Sequence, residues 1–157
     1  MDIKTVGVIG AGQMGNGIAH VMALAGYDVT LNDLSQDALT AALAKIEKNM
    51  ARQVSRSLIT EEDMQAGLAR ISPALDVAAL GAADLVIESA TENEEIKIKI
   101  LEGLVPHLPD HTIVTSNTSS ISITRLAART DRPEKFMGFH FMNPVPLMQL
   151  VELIRGI

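Results

Sequence analysis

The chain contains no cysteine and no tryptophan, and only one tyrosine and three phenylalanines. Without thiols it has neither a disulfide framework nor a thiolate nucleophile. With so few rings, its core has to be packed from Leu, Ile, Val, Ala and Met. Basic runs and tails are also absent: 13 Lys and Arg stand against 19 Asp and Glu, for a formal charge of −6. That balance argues against a nucleic-acid partner, since a phosphate backbone attracts the opposite sign. No apolar run approaches the roughly 20 residues that span a bilayer. The apolar stretch near the N-terminus is short and glycine-rich, and acidic Asp2 precedes it, so it does not read as a signal peptide. A soluble, cytoplasmic protein with no membrane association is expected, and no residue is assigned to a metal. There is no internal repeat or low-complexity segment. What is abundant is apolar: 47% of 157 residues, enough for one domain with a sizeable core.

The stretch Val6–Gly15, VGVIGAGQMG, organises the rest. It reads as a buried strand that breaks at Gly10 and runs directly into a helix. Gly10, Gly12 and Gly15 have the spacing G-x-G-x-x-G. Gly10 permits the tight turn, Gly12 leaves the backbone open to a pyrophosphate, and Gly15 lets the helix pack closely on its strand. The free N–H groups and positive dipole end of that helix then face the phosphates. Gln13 and Met14 stand in its first turn and are counted with the cofactor-binding residues. Asp33 ends the next strand, about 20 residues on, where a ribose ligand is expected. A carboxylate there accepts from a ribose diol and repels a 2′-phosphate, and no Arg follows to neutralise one. NAD is therefore expected over NADP.

Along the chain, Ile18, Ala19, Val21, Met22 and Ala25 fit one buried helical face, closed by Gly26. His20, in that helix, has no evident partner and reads as a packing or surface residue. Tyr27–Leu31 make the second strand. Ser35 caps a long helix with the stripe Leu39, Leu43, Ile46, Met50 and Val54, and Thr60 with Asp63 forms the capping box of another. This pair exceeds what a crossover needs; it reads either as an arm reaching a substrate or as a solvated basic face. Ile71 and Ser72, stopped by Pro73, make a short strand. Leu85–Ile87 make a buried one ending in Glu88 and Ser89. Glu92–Lys97 leads into a helix with Ile96, Ile100, Leu101, Leu104 and Val105 inward, ended by Pro106 and Pro109. Thr112–Thr115 is followed by Ser116–Ser120, a polar run placed where open α/β sheets bind ligands or where turns and caps use hydroxyls. Phe136–Phe141 alternates as a strand, with Gly138 leaving open space beside His140 on one face. By itself, His140 reads more readily as a structural histidine than a catalyst. Asn143–Pro146 makes a rigid bend and Leu150–Ile154 a last strand carrying Glu152. His107 and His111 read as surface loop residues. The pattern predicts an α/β fold: a Rossmann-type, doubly wound, mostly parallel sheet with a helical-pair insertion after the second strand.

Four segments, VGVIGAGQMGNGIA (6–19), Glu92–Lys97, SNTSS (116–120) and HFMNPVPLMQLVE (140–152), together resemble the NAD-binding domain of 3-hydroxyacyl-CoA dehydrogenases, the bacterial 3-hydroxybutyryl-CoA branch in particular. Met142 is a mild departure, where many members carry a second aromatic. The resemblance implies that His140 is the catalytic base for the 3-hydroxyl proton while hydride passes to NAD. An imidazole suits that work because it titrates near neutrality. It further implies that Glu152 binds the other ring nitrogen, fixing its tautomer, and that Ser119 hydrogen-bonds the reacting oxygen. Asn117 and Asn143 would line the nicotinamide side, and Glu92 and Lys97 the cofactor ribose and nicotinamide; an i,i+5 surface pair is the alternative for the last two. Arg52 and Arg56, one helical turn apart, coincide with basic positions that touch the CoA moiety of an acyl-CoA substrate in relatives.

Relatives continue into a helical domain that supplies a catalytic asparagine and the dimer interface. Residues 1–157 contain none of it. The expectation is a cofactor domain or truncated chain, inactive or weakly active alone, from an enzyme that forms a homodimer or higher oligomer through that missing part. Two alternatives stay open: a β-hydroxyacid dehydrogenase acting on free acids, which shares the G-x-G-x-M-G opening but uses a lysine base on a later helix, and a non-catalytic NAD-binding sensor or structural module.

Overall fold

The computed structural model describes residues 2–157. Strands β1 Thr5–Ile9, β2 Asp28–Asn32, β3 Ile71–Ala74, β4 Leu85–Glu88, β5 Ile113–Ser116, β6 Phe136–Phe141 and β7 Val151–Arg155 form one sheet in the order β3-β2-β1-β4-β5-β6-β7. The first six are parallel, and β7 runs antiparallel to β6. The chain winds outward from β1 to β3, then restarts on the other side of β1 with β4. The β1/β4 boundary is thus the switch point of a doubly wound sheet, and its carboxyl edge is where such sheets bind ligands.

Helices α1 Gln13–Leu24, α2 Gln36–Ser55 and α3 Glu61–Ala69 cover one face; α4 Glu94–Leu104 and α5 Ile123–Ala127 cover the other. With both faces covered, the central strands are apolar on consecutive residues rather than on alternate ones. Ile87 joins Val8, Leu31, Ile18 and Ile46 in one core, while its neighbour Val86 joins Val114, Leu101 and Leu126 in the other. The predicted caps are present. Ser35 Oγ accepts from Ala38 N–H at 3.2 Å, and Thr60 and Asp63 complete a reciprocal capping box. Gly26 ends α1 with φ +102°. Among the described residues no helix is long and apolar enough to cross a membrane.

Several local expectations give way to tertiary packing. Ala25 is the exposed C-cap of α1, and Ala23, one turn beyond Ala19, takes the buried place. On α4, Ile96 is 47% exposed while Lys97 is wholly buried, because Lys97, Leu101 and Leu104 share the inward face. Strand β3 continues through Pro73 to Ala74, which an edge strand tolerates. Helices α2 and α3 lie against α1, with Met50, Met64 and Gly67 at the contact, instead of standing off as an arm. The space beside Gly138 is closed: a Cβ there would meet Ile123 and Ile154 side chains at 2.9 Å.

At the opposite, amino edge of the sheet, Asp84 ties three segments together. Its carboxylate accepts from Lys4 N–H at 2.8 Å, Thr5 N–H at 3.1 Å and His111 Nε2 at 2.9 Å. His111, expected to be idle, is therefore a partner. The Lys4 amide, then His111 and the Thr5 amide, hold the Asp84 carboxyl well below the usual carboxylate range. A depressed folded-state pKa means this stabilisation is complete above the ordinary carboxylate pKa and is lost as pH falls toward the folded value. Asp84→Ala is expected to cost about 0.5–1.5 kcal/mol at pH 7, the usual net worth of such hydrogen bonds where water can reach the donors left behind. Denaturant melts of both proteins at pH 7 and pH 3 check this, and the gap should shrink at the lower pH.

Candidate active site

The parallel strands deliver their carboxyl ends to one edge, and the assigned residues collect there. Gly10 turns with φ +97°, its N–H donating to Asn32 O at 2.8 Å. A Cβ on Gly15 would lie 1.5 Å from Gly10 O, so only glycine lets α1 start this close to the end of β1. A Cβ on exposed Gly12 would meet nothing within 4 Å. Gly12 is the N-cap of α1 and provides no side-chain cap, which leaves the first N–H groups directed into open space.

Asp33 stands beside this loop. Its carboxylate accepts from Ala11 N–H at 2.9 Å through Oδ2 and from Ser35 N–H at 3.0 Å through Oδ1. Each oxygen keeps a lone pair for a hydroxyl. The residue thus braces the glycine loop as well as facing the cleft. A cavity of about 590 Å³ opens next to it, lined by Gly10, Asp33, Leu34, Ala90, Ile96 and Ile100. An apolar slot with a carboxylate at its rim and unpaired helix amides alongside fits an adenosine diphosphate moiety. Exposed Ile96 and the 90% exposed Leu34 serve this cleft rather than the core.

The other half of the edge is built by β5, β6 and β7. Buried Asn117 accepts from Phe141 N–H at 3.0 Å, locking the end of β5 to the end of β6 beside His140. Exposed Asn143 accepts from Gln13 Nε2 at 3.3 Å, which brings the bend after β6 to the glycine loop. The antiparallel register sets His140 directly opposite Glu152. The His140 side chain is 23% exposed and Glu152 is half exposed, with Nδ1 and Oε2 3.9 Å apart. That is an ion-pair distance, longer than a hydrogen bond.

The polar run divides. Thr118 Oγ1 and Ser120 Oγ donate to Glu92 at 2.9 and 3.3 Å, and Thr118 Oγ1 also accepts from Ser120 N–H and Ile121 N–H. These are turn contacts. Ser119, between them, is exposed. Glu92 thus lies on the hydroxyl loop. Lys97 is no surface partner of Glu92: it is buried against Glu88, with Nζ 2.6 Å from Oε1. Glu88 went unassigned in the sequence, although a carboxylate ending an apolar strand nine residues before a lysine was a visible sign.

Arg52 and Arg56 lie on the exposed end of α2 and line a separate cavity of about 240 Å³ with Lys45, Gln53, His20 and Pro146. Three cations surround this space. His20, 1% exposed, places Nε2 2.7 Å from Gln53 Oε1, and its buried Nδ1 has no partner among the described residues. Burial holds the ring toward its neutral form, opposed by the Gln53 hydrogen bond.

Residues 5–157 match the family described as 3-hydroxyacyl-CoA dehydrogenase, NAD binding domain. The chain is 63% identical over 155 residues to a 3-hydroxybutyryl-CoA dehydrogenase of Bradyrhizobium diazoefficiens, covering 99% of this chain and 53% of that protein. It is 44% identical to a probable 3-hydroxybutyryl-CoA dehydrogenase of Bacillus subtilis, covering 100% and 55%. The crystal structure of the (S)-3-hydroxybutyryl-CoA dehydrogenase of Ralstonia eutropha superposes with a TM-score of 0.97 at 47% identity, covering 99% of this chain and 55% of that one. The chain spans about half the length of these relatives.

Proposed function

Since the chain belongs to the 3-hydroxyacyl-CoA dehydrogenase family, as its NAD-binding domain, we propose that the enzyme carrying it moves hydride between NAD(H) and the 3-hydroxybutyryl-CoA/acetoacetyl-CoA pair. The observation that carries this reading is the register of β6 on β7, which sets His140 opposite Glu152 at the edge where the glycine loop opens.

NAD supplies the hydride acceptor or donor when bound. His140 takes the 3-hydroxyl proton in oxidation and returns it in reduction. Glu152 orients the ring and stabilises its charged form; the 3.9 Å separation suits a pair that tightens when substrate is held, as catalytic hydrogen bonds commonly do. Ser119 hydrogen-bonds the reacting oxygen. Asn117 and Asn143 line the nicotinamide side, Asn143 through its tie to Gln13. Glu92 borders the same side from the hydroxyl loop. Lys97 contributes through its buried contacts, given that its amine is committed to Glu88 and Asn117 O. Arg52 and Arg56, with Lys45, take the CoA phosphates in the basic cavity. A second, helical domain beyond residue 157 completes the substrate cleft and the oligomer, and the enzyme works in the cytoplasm.

The test is a rate. The enzyme carrying this domain is expected to oxidise NADH on addition of acetoacetyl-CoA, and NADPH far more slowly. Asp33→Ala should narrow the NADH/NADPH ratio by about tenfold or more, the worth of one charge-assisted hydrogen bond, as both the diol acceptor and the repulsive charge are removed. Absence of any acetoacetyl-CoA-dependent oxidation overturns the reading; an unchanged ratio in the variant overturns the role of Asp33.

A further inference from the structure

We propose that Glu88 is a positioning residue that couples the nucleotide cleft to the His140 side of the sheet. The inference rests on the cleft being the NAD site. Glu88 ends β4 at the switch point and is wholly buried, as is its partner Lys97. One carboxylate oxygen, Oε1, accepts from Lys97 Nζ at 2.6 Å and from Ser116 Oγ at 2.6 Å; the other, Oε2, accepts from Ala90 N–H at 2.8 Å.

These contacts reach both halves of the site. The Oε2 contact pins the Ser89–Ala90 turn, and Ser89 in turn donates through N–H and Oγ to Ile9 O at 2.8 and 2.9 Å. Ala90 lines the nucleotide cavity and lies so close to the glycine loop that a Cβ on Gly10 would be 2.6 Å from its Cα. The Oε1 contacts grip the end of β5. Lys97 Nζ continues to Asn117 O at 3.3 Å, the Glu88 carbonyl accepts from Asn117 N–H at 2.8 Å, and the Asn117 side chain holds Phe141 N–H beside His140. The same carboxylate therefore sets the wall under the glycine loop and the floor beside the base.

Stability alone does not account for an ion pair in this place. Two well-packed apolar side chains generally serve a core as well as a buried pair, without the desolvation penalty. What an apolar pair cannot do is hold three donors from three segments in fixed directions.

The experiment is a fluorescence titration of NADH into the 157-residue chain and its Glu88→Gln and Ser116→Ala variants, at a temperature where thermal melts show each to be folded. Gln keeps the shape of Glu88 but cannot accept from all three donors through two anionic oxygens. The Kd for NADH is expected to rise about tenfold in Glu88→Gln and about threefold in Ser116→Ala, the order expected of losing charged and neutral hydrogen bonds that act on the site. A purely structural role lowers the melting temperature and leaves the Kd of the folded protein unchanged; that result in Glu88→Gln overturns the proposal. Should Glu88→Gln not fold, a native Kd in Ser116→Ala overturns it. If the native chain itself takes up no NADH, the cofactor site fails and this proposal with it; native binding with unaltered variants defeats this proposal alone.

Discussion

Gly15→Ala is expected to abolish NADH binding and to lower stability by about 3 kcal/mol, the upper range for overpacking a close contact. The added Cβ would sit 1.5 Å from Gly10 O and 2.7 Å from Gly10 C. Both are backbone atoms of a turn held at φ +97° and hydrogen-bonded to Asn32, so no side-chain rotation relieves the clash. Helix α1 must move away from the end of β1, carrying its free N–H groups out of register with the pyrophosphate. Gly12→Ala is the control. Its Cβ meets no protein atom within 4 Å, so stability should stay within about 0.5 kcal/mol, as at an ordinary surface position. NADH affinity should nevertheless fall, because the methyl occupies the approach of the phosphates. Thermal melts and NADH titration of both variants check the pair. A Gly15→Ala protein that binds NADH as the native chain does would show that the loop is not the phosphate site.

His140→Gln in the enzyme carrying this domain is expected to reduce turnover of acetoacetyl-CoA with NADH by about 10²–10⁴-fold, the usual worth of a positioned general acid–base. NADH affinity should stay within about twofold, since a substitution at one wall leaves the glycine loop and Asp33 untouched. Glutamine keeps a hydrogen-bonding group at the strand end but cannot shuttle a proton. Glu152→Gln should cost less, because it weakens the orientation of the base without removing it. Steady-state rates with NADH titration on the same samples separate the effects. A His140→Gln enzyme with native turnover would return His140 to a structural role and leave the register with Glu152 without chemical meaning.

The parts of this protein that its sequence determined are those set by residues a few positions apart. Glycine spacing and an uncapped helix start define the loop; Ser35 with Ala38 N–H and Thr60 with Asp63 define helix starts through bonds spanning three residues. Strand and helix periods likewise follow from neighbours, and the order of strands and helices was enough to expect a doubly wound sheet. Asp33 could be read as a ribose ligand because one helix and one strand separate it from the glycine loop. The family motif, and not the isolated histidine, is what led to the proposal that His140 is the base.

Tertiary structure decided the contacts that join distant segments. For Lys97 the sequence left a surface pairing with Glu92 open beside a place near the cofactor, and the rotation of α4 on the sheet instead buries it against Glu88. Gln13 and Asn143 are 130 residues apart and meet only because the bend after β6 returns over the glycine loop. The 3.9 Å between His140 and Glu152 depends on the β6/β7 register, where a slip of one residue would turn Glu152 to the other face. Asp84 and His111 found each other for the same reason, at the edge away from the cleft. Local propensity acts through the chain, whereas these pairs depend on sheet order, strand register and helix rotation, which only the packed core sets.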